Sequence, residues 1–424
     1  MDSLNTSIPF QILNYGCKVN TYDGGLLEKR LSGAGFLLRN EPKLYILNTC
    51  AVTAEATKEA VRTIRKIRMK SPDCVIVVTG CGAQVDTDKF QNLPGVDLIV
   101  ANSHKGQIEY LVHEYLGGRL KERVFKSNIF KKSDLEEGGG LEEGHTRSFL
   151  KIQDGCNSFC TYCVIPFARG KSRSLTVDSL IHRTRQLVDE GVKEVVLTGV
   201  HIGDYEFGLE KLVEELLLKT KVERLRLTSL EPVEISDRLM NLFNDERLCP
   251  HFHMSIQSAT TSILTRMKRQ YDAQAVEDSL NQIARKQPNA FVGMDVIAGF
   301  PGEGEDEFLE TYRRLERLPW TRLHVFPYSE RPGTYAVRLD GQNDRAVVLR
   351  RADRLRELSQ TRFQKIAREQ IGRTKKVLVL KNNQGISRDY WAIKWNSQNF
   401  STNQEVDLIP NGVEFASSGL FLTI

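Results

Sequence analysis

Short runs of valine, isoleucine and leucine alternate with helix-like stretches over residues 8–120, and this alternation constrains the fold most strongly. The four strand candidates are Phe10–Asn14, Leu44–Asn48, Val75–Thr79 and Asp97–Val100. Continuous apolar runs of this length are typical of parallel strands that are covered on both faces. Helical patterns such as Ala54–Met69 lie between them. The sequence therefore predicts an α/β fold that begins with a doubly wound, Rossmann-like domain.

The alternation resumes after an acidic, glycine-rich segment. We predict an interdomain linker over residues 121–147, which include Glu136–Gly144, and a second domain over residues 148–370. Six strand candidates separated by helical patterns indicate a parallel sheet or a partial (β/α)6 barrel in that domain. These candidates are Phe149–Gln153, Glu194–Leu197, Arg224–Leu227, His251–Ile256, Gly293–Ala298 and Leu323–Phe326.

A basic helix is predicted over Val347–Gln370. Between Arg345 and Lys376 there are eleven Lys or Arg residues and three Asp or Glu residues, although the whole chain carries a net charge of only +5. Such a concentration of positive charge suggests a polyanionic partner, and a solvated helix face is an equally good alternative.

Residues 371–424 contain short strand candidates separated by polar turns. This pattern predicts a small all-β barrel at the C-terminal end. Aromatic rings in it, from Tyr390, Trp391 and Trp395, are candidates for stacking on nucleic-acid bases, with core packing as the alternative. The strand candidates are Val377–Leu380, Tyr390–Trp395, Glu405–Ile409 and Leu420–Ile424.

Two features suggest a cytoplasmic protein. No run of about 18 apolar residues indicates a membrane span. Met1–Ile12 has no basic stretch before its apolar residues, so we expect no signal peptide. Because the cytosol is reducing, the eight cysteines are better candidates for metal ligands or catalytic thiols than for disulfides.

Three cysteines are clustered in one loop just after the first strand of the second domain. Cys156, Cys160 and Cys163 form a CxxxCxxC pattern, which brings three thiolates close enough to bind one metal cluster. Iron–sulfur clusters normally have four cysteine ligands, so three would leave one iron open to another ligand. A structural zinc site with a distant fourth ligand is the alternative.

Three other cysteines are far apart in the sequence but occupy equivalent positions. Cys17, Cys50 and Cys81 each follow the carboxyl end of a predicted parallel strand. Because these ends share one edge of a sheet, we expect the three thiols to converge there. Ordinary buried cysteines are the alternative, and we adopt that interpretation for Cys74 and Cys249, which lack this placement.

These motifs together resemble the radical S-adenosylmethionine (SAM) methylthiotransferases. Gly155–Gly170 is similar to the radical SAM motif of that family, and Tyr15–Asn20, Leu47–Thr53 and Thr79–Gln84 are similar to its N-terminal domain. The resemblance extends over essentially the whole chain. It implies a radical SAM barrel in the centre and an RNA-binding TRAM domain at the C-terminal end.

The resemblance also implies cofactors and ligands. Two [4Fe–4S] clusters are expected, a radical SAM cluster on Cys156, Cys160 and Cys163 and an auxiliary cluster on Cys17, Cys50 and Cys81. SAM itself is expected to be contacted by residues of the CxxxCxxC loop and of later strand ends, for which turn geometry and barrel packing are the alternatives. These residues are Tyr162, Thr198, Gly199, Ser255, Gln257 and Gly299.

Within the family, the residues after Cys17, Cys50 and Ala168 resemble the branch that acts on threonylcarbamoyladenosine at position 37, beside the tRNA anticodon. The implied reaction is radical replacement of the C2 hydrogen by a methylthio group. The implied partners are the anticodon stem-loop of tRNA and a low-potential electron donor such as flavodoxin or ferredoxin. Phosphate contacts are expected from the basic helix and from Arg62, Arg65, Lys66 and Arg68.

Two other functions remain open at this stage. The same chemistry acts on isopentenyladenosine in tRNA or on a ribosomal protein aspartate in other branches of the family. A zinc-containing, non-catalytic RNA-binding protein is an alternative from another class, and metal analysis distinguishes it from an iron–sulfur enzyme.

Overall fold

The computed structural model describes residues 8–39, 41–137, 146–396, 399–416 and 419–424, so part of the predicted linker, residues 138–145, lies outside the described residues. The chain forms two compact units. Unit 1 contains the described residues of Met1–Glu142, Phe149–Leu175 and Ser329–Val337. Unit 2 contains the described residues of Glu143–Ser148, Thr176–Tyr328 and Arg338–Ile424.

Unit 1 is built on a parallel sheet whose strands follow the order β2-β1-β3-β4-β5-β6. The strands are β1 Pro9–Asn14, β2 Leu37–Leu38, β3 Leu44–Thr49, β4 Val75–Thr79, β5 Leu98–Ala101 and β6 Val124–Phe125. The helices are α1 Lys18–Gly33, α2 Ala54–Lys70, α3 Gly80–Val85, α4 Thr87–Gln91 and α5 Ile108–Leu116. The predicted doubly wound α/β fold is therefore confirmed, and β6 adds an edge strand within the segment predicted as a linker.

The sheet is buried on both faces, which explains its continuous apolar runs. Successive side chains of one strand pack into two different apolar cores. In β3, Ile46 belongs to one core and Leu47 belongs to the other. One core includes Leu27 of α1, and the other includes Ile64 of α2. A strand with this environment has no polar face, so the alternation of polar and apolar residues is absent from its sequence.

The remaining elements of unit 1 surround the CxxxCxxC loop. Strand β7, Arg147–Lys151, begins in unit 2 and ends in unit 1. It leads to β8, Gln153–Asp154, which pairs antiparallel with β9, Arg173–Ser174. Between them lies the short helix α6, Ile165–Arg169. The loop and α6 are thus held by the two ends of one small ribbon.

Unit 2 contains the repeated strand–helix pattern that the sequence predicts for a partial barrel. The pairs β10–β11, β12–β13, β13–β14 and β14–β15 are all parallel. The strands are β10 Glu194–Thr198, β11 Arg224–Leu227, β12 Ser229–Leu230, β13 His251–Gln257, β14 Phe291–Ala298 and β15 Arg322–Pro327. The helices are α7 Val177–Asp189, α8 Leu209–Lys219, α9 Asp237–Leu242, α10 Thr261–Arg266, α11 Ala273–Lys286 and α12 Glu305–Arg317.

The predicted basic helix is α13, Arg345–Arg368, and an antiparallel-rich sheet follows it in unit 2. The sheet order is β19-β16-β17-β18-β21-β20, with one parallel pair between β18 and β21. Its strands are β16 Lys375–Val379, β17 Gln384–Ser387, β18 Ala392–Lys394, β19 Glu405–Leu408, β20 Gly412–Ala416 and β21 Gly419–Thr423.

The three candidate stacking rings of this sheet, from Tyr390, Trp391 and Trp395, lie in or against one apolar core. Trp391 and Trp395 are each 3% exposed and belong to one apolar core. Trp391 packs against Phe291 and Phe363. The Tyr390 ring lies 3.9 Å from the His251 ring. For the two tryptophans the structure therefore supports core packing over stacking on nucleic-acid bases, because their faces are already covered by the core.

Short 3-10 helices connect several elements. They are Lys105–Gln107, Ile129–Lys131, Ile202–Asp204, Pro232–Glu234 and Tyr335–Arg338. Among the helices that the structure describes, none combines the length and the apolar character needed to cross a membrane.

Candidate functional site

The three dispersed cysteines occupy equivalent positions at one edge of the unit 1 sheet. Cys17 lies between β1 and α1, Cys50 directly follows β3, and Cys81 is in α3 just after β4. Strands β1, β3 and β4 are adjacent and parallel, so their carboxyl ends lie side by side. The chain order of the sheet reverses between β1 and β3, and such a switch point is where open α/β sheets bind ligands.

The surroundings of Cys50 show how close the neighbouring segments are. A Cβ atom at Gly16 would stand 2.5 Å from the Cys50 sulfur. Burial, together with the charges of Cys81 and Cys17, raises the pKa of the Cys50 thiol to about 12, although the Val52 N–H and Arg169 act in the opposite direction. Such a thiol stays protonated at neutral pH unless a metal binds it, because metal coordination deprotonates cysteine.

Buried asparagines hold this edge of the sheet in place. The Asn20 side chain donates hydrogen bonds to the carbonyl oxygens of Tyr15, Asn48 and Thr49 at 2.8, 3.1 and 3.1 Å. The Asn48 side chain returns one to the Asn20 carbonyl at 2.7 Å. The loops that carry Cys17 and Cys50 are therefore cross-linked through their backbones, a role that the sequence pattern did not reveal.

The second triad is held by the ribbon of β8 and β9. Gly155 has a φ of +78°, and a Cβ there would stand 2.0 Å from the Lys171 carbonyl oxygen, so only glycine fits. The Cys156 N–H donates to the Gly170 carbonyl at 3.1 Å. The Cys163 N–H donates to the Cys160 carbonyl at 2.9 Å. These bonds close Cys156, Cys160 and Cys163 into one tight loop.

Both triads contain sulfurs that accept a backbone N–H from the residue two positions later. The donors are Val52 to Cys50 at 3.5 Å, Ser158 to Cys156 at 3.4 Å and Ile165 to Cys163 at 3.5 Å. Hydrogen bonds to the ligand sulfurs are one of the means by which proteins tune iron–sulfur clusters. The local environment of these cysteines therefore fits a cluster.

The chemistry of the donor set fits a cluster as well. Within the described part of the chain, no three His, Cys, Asp or Glu side chains are close enough to share a single metal ion. Soft thiolate ligands of this kind suit iron–sulfur clusters.

One buried arginine connects the two triads. Arg169, at the end of α6, donates its Nε–H to the Cys81 sulfur at 3.2 Å. It also donates to both Asp154 oxygens at 2.9 and 3.1 Å, to Asn20 at 2.9 Å and to Asp23 at 3.1 Å. Arg169 belongs to the motif Gly155–Gly170, but nothing in its local sequence distinguishes it from a surface arginine.

Buried ion pairs surround that arginine. The Lys151 ammonium lies 2.6 Å from Asp23 and 3.3 Å from Asp154, and Lys105 lies 3.2 Å from Asp23. Burial disfavours the charged form of Asp154, but Arg169 and Lys151 outweigh it and lower the pKa of Asp154 to about 2. The pKa of Asp23 is lowered further, because three cations oppose its burial. The carboxylates are therefore ionised at neutral pH.

The predicted SAM contacts are divided between the two units. Tyr162 lies half-buried in unit 1, and the other five lie in unit 2 at or beside the carboxyl ends of barrel strands: Thr198, Gly199, Ser255, Gln257 and Gly299. Gln257 has a positive φ of 61°, where β13 departs from its regular pairing with β14.

Gly299 has a packing role of its own. A Cβ there would stand 2.6 Å from a Val348 side-chain carbon, and its N–H donates to Glu303 at 2.6 Å. The contact of Gly299 and the other five residues with SAM stays a prediction.

The basic side chains that are predicted to contact phosphate differ in how accessible they are. Arg68 is not available, because it pairs with Asp97 at 2.6 Å and donates to the carbonyls of Pro72, Cys74 and Gly95. Its predicted phosphate contact is therefore wrong.

Other basic side chains of α2 and α13 remain accessible. Arg62 is exposed and pairs with Glu55, and Arg65 and Lys66 are exposed. On α13, Arg351 is buried against Glu303, whereas Arg350, Lys365 and Arg368 are exposed.

Comparison with protein families gives two matches. The Radical SAM superfamily matches residues 150–315, and a family described as Uncharacterized protein family UPF0004 matches residues 9–101. The first includes the CxxxCxxC loop, and the second includes all three dispersed cysteines.

Relatives match nearly the full length of the chain. The threonylcarbamoyladenosine tRNA methylthiotransferase MtaB of Aquifex aeolicus is 36% identical over 89% of this chain and 94% of that protein. The Bacillus subtilis protein of the same name is 37% identical over 81% of this chain and 78% of that protein. The tRNA-2-methylthio-N(6)-dimethylallyladenosine synthase of Ehrlichia chaffeensis is 32% identical over 87% of this chain and 86% of that protein.

Among solved structures, the radical SAM methyltransferase TsrM of Kitasatospora setae is similar in fold. Its TM-score is 0.57 at 14% identity, covering 76% of this chain and 74% of that one. At this identity the likeness concerns the fold alone.

Proposed function

Since this chain belongs to the radical SAM methylthiotransferase family, we propose that it converts N6-threonylcarbamoyladenosine at position 37 of tRNA to the 2-methylthio derivative. The observation that carries the proposal is the presence of two cysteine triads in one compact unit, with Arg169 bonded beside both. The residues of the cysteine motifs, and the names of the most similar relatives, favour this substrate over other adenosines.

The two triads have different roles in the proposal. Cys156, Cys160 and Cys163 hold the radical SAM cluster, and their number leaves one iron free to bind SAM. Cys17, Cys50 and Cys81 hold the auxiliary cluster. When bound, the radical SAM cluster would supply the electron that cleaves one SAM, the auxiliary cluster would supply the sulfur that replaces the C2 hydrogen of adenine, and a second SAM would supply the methyl group, chemistry that no acid or base side chain provides.

The chain itself contributes the geometry of the two cysteine sites and the buried charges beside them. Gly155 and the ribbon of β8 and β9 fix the CxxxCxxC loop, and the asparagine cross-link fixes the strand-end loops. Backbone N–H groups orient the sulfurs of Cys50, Cys156 and Cys163. We assign SAM contacts to Tyr162, Thr198, Gly199, Ser255, Gln257 and Gly299.

Transfer RNA is the expected macromolecular substrate. The proposed phosphate contacts are the exposed Arg350, Lys365 and Arg368 on α13 and Arg65 and Lys66 on α2. Phosphate contacts of this kind hold the RNA without reading its sequence. A low-potential one-electron donor, such as flavodoxin or ferredoxin, is the second proposed partner, because the radical SAM cluster must be reduced before each SAM cleavage.

The direct test uses anaerobically reconstituted protein, SAM and dithionite with three tRNA substrates. One carries threonylcarbamoyladenosine at position 37, one carries dimethylallyladenosine there, and one carries unmodified adenosine. We expect a mass gain of CH2S on the first nucleoside only. A gain only on dimethylallyladenosine would assign the chain to the other tRNA branch, whose member in Ehrlichia chaffeensis is also a relative.

A matching test uses cells. Nucleosides from tRNA of cells with and without the gene are compared, and the 2-methylthio derivative of threonylcarbamoyladenosine is expected to disappear when the gene is removed. Unchanged nucleosides, together with loss of a methylthio group from a ribosomal protein aspartate, would contradict the tRNA proposal.

A further inference from the structure

All five N–H groups of Arg169 have acceptors. A guanidinium has five donors, and five acceptor atoms lie within hydrogen-bond distance: the Cys81 sulfur, both Asp154 oxygens, one Asn20 oxygen and one Asp23 oxygen. The side chain is 3% exposed. Its position and orientation are therefore fixed by the fold, and one of its donors points at a cysteine.

We propose that Arg169 is a positioning residue of the auxiliary cluster, where its Nε–H bond to the Cys81 sulfur and its buried charge set the reduction potential of that cluster. The inference rests on the proposed function, because it takes Cys17, Cys50 and Cys81 as cluster ligands. Arg169 is not one of the three cysteine ligands, so the inference adds a residue that acts on the reduction potential of the cluster from outside them.

The buried charged groups around Arg169 carry a net positive charge next to Cys81. Among the residues that the structure describes, three buried cations, Lys105, Lys151 and Arg169, pair with two buried carboxylates, Asp23 and Asp154. An uncompensated buried cation is costly, so the group requires a further anion. A Cys81 thiolate bound to iron, 3.2 Å from the Arg169 Nε, provides that anion.

A purely structural role for Arg169 does not account for the contact with sulfur. Asp23 and Asp154 could be neutralised by Lys105 and Lys151, which already pair with them. Helix α6 is also held to the sheet by apolar contacts, because Val164 and Ala168 pack with Ala51 and Cys81 in one cluster. Arg169 therefore adds a charge and an N–H donor where packing alone would hold the helix.

Placement on α6 also brings the arginine into contact with Cys81 and with the ribbon that carries the CxxxCxxC loop. It lies six residues after Cys163, and its partner Asp154 is two residues before Cys156. The same guanidinium thus braces the ribbon of the CxxxCxxC loop and the Cys81 end of the strand-end triad.

The expected effect on redox chemistry has a definite sign. A nearby positive charge and an N–H donor to the ligand sulfur both stabilise the reduced cluster, which carries one more negative charge. Arg169→Gln removes the charge and should shift the midpoint potential of the auxiliary cluster to more negative values. Arg169→Lys keeps the charge but loses the five-donor fork, so its midpoint should lie between those of the parent and Arg169→Gln.

The experiment isolates the auxiliary site in the full-length chain. Cys156, Cys160 and Cys163 are replaced by alanine, so that only the N-terminal triad can hold a cluster. The parent, Arg169→Lys and Arg169→Gln are reconstituted anaerobically and titrated with dithionite while the reduced cluster is followed by electron paramagnetic resonance. Arg173→Gln is the matched control, because Arg173 lies 4.0 Å from Asp154 and donates hydrogen bonds to the backbone carbonyls of Lys132, Arg169 and Lys171.

The outcomes separate this inference from the proposed function. A negative shift in Arg169→Gln, a smaller shift in Arg169→Lys and no shift in Arg173→Gln support the role of Arg169. An unchanged midpoint in both Arg169 variants overturns it. If Arg169→Gln fails to fold, Arg169→Lys alone decides, by its midpoint relative to the parent. A parent protein that binds no iron contradicts the assignment of the auxiliary cluster itself.

Discussion

Gly16 lies against Cys50 so closely that a Cβ atom at position 16 would stand 2.5 Å from the Cys50 sulfur. The backbone at Gly16 also has a φ of +90°, which L-residues rarely adopt. The residue beside one cysteine of the strand-end triad is therefore in contact with the second, and any side chain there must displace it.

Gly16→Ala is expected to impair the auxiliary site while sparing the CxxxCxxC loop. Displacement of Cys50 should lower the iron bound by the N-terminal triad several-fold. Gly35→Ala is a well-matched control, since Gly35 has a φ of +92° and no atom within 4 Å of its added Cβ. Iron analysis of both variants in the background lacking Cys156, Cys160 and Cys163 tests this; equal iron in the two would show that the clash has no consequence.

The strand-end triad illustrates what the sequence could predict. Its convergence follows from strand direction alone, because β1, β3 and β4 are continuous apolar runs that are readily assigned to one parallel sheet. The contact between Arg169 and Cys81 could not be predicted. It joins residues 88 positions apart and depends on how α6 packs, which local patterns do not encode.

A buried carboxylate in unit 2 should contribute strongly to stability. Glu194 is 0% exposed and pairs with Arg147 at 2.6 Å and with Arg224 and Arg226 at 2.9 Å. Glu194→Gln leaves three arginines without their shared anion, so we expect a loss of about 3–5 kcal/mol in the free energy of unfolding.

Urea unfolding followed by tryptophan fluorescence measures this loss, because Trp320, Trp391 and Trp395, the three tryptophans of the chain, all lie in unit 2. Glu223→Gln is the control, as Glu223 forms an exposed pair with Lys193 that should be worth at most about 1 kcal/mol. Similar losses in the two variants would contradict the expected effect of burial.

Glu303 should make unit 2 less stable as the pH rises. Burial raises the pKa of Glu303 to about 7, more than the Gly299 N–H and Arg351 lower it. The pKa of Glu303 is higher in the folded than in the unfolded protein. Its contribution to the free energy of unfolding is therefore fully present below about pH 4.5 and is lost as the pH rises through 7. The groups that face it are the Gly299 N–H, Arg351 and Glu307.

Comparison of the wild type with Glu303→Gln at two pH values separates the contribution of Glu303 to the free energy of unfolding from that of the groups that both proteins share. The stability of the wild type relative to Glu303→Gln should fall by about 2–3 kcal/mol between about pH 5 and about pH 8. Urea unfolding at the two pH values measures it. A constant difference would mean that Arg351 keeps the carboxylate ionised throughout.

The basic helix α13 should hold tRNA through phosphates. Replacing Arg350, Lys365 and Arg368 by glutamine should weaken tRNA binding and reduce the slope of log affinity against log salt by roughly 0.7–0.9 for each lost contact. A control with the same charge change replaces Lys211, Lys221 and Arg285, which are exposed elsewhere in unit 2. Equal salt slopes for both triple variants would exclude α13 from the interface.

Parts of the fold were missed where strands are short or polar. Both residues of β2, Leu37 and Leu38, are exposed, so no buried pattern marks that strand. Strand β17 begins after Asn382 and Asn383, which take positive φ values of 61° and 54° in the turn without any glycine to signal it. Strands β13 and β14 are longer and mostly buried, so their apolar residues can be recognised in the sequence.

We propose that the two cysteine triads divide the reaction between them. A comparison of two triple variants of reconstituted protein tests this division. With SAM, dithionite and tRNA containing threonylcarbamoyladenosine, 5′-deoxyadenosine and the methylthiolated nucleoside are quantified together. The variant lacking Cys17, Cys50 and Cys81 is predicted to release 5′-deoxyadenosine without forming product, and the variant lacking Cys156, Cys160 and Cys163 to release none. Full methylthiolation by the first variant, or normal 5′-deoxyadenosine from the second, would rule out this division of roles.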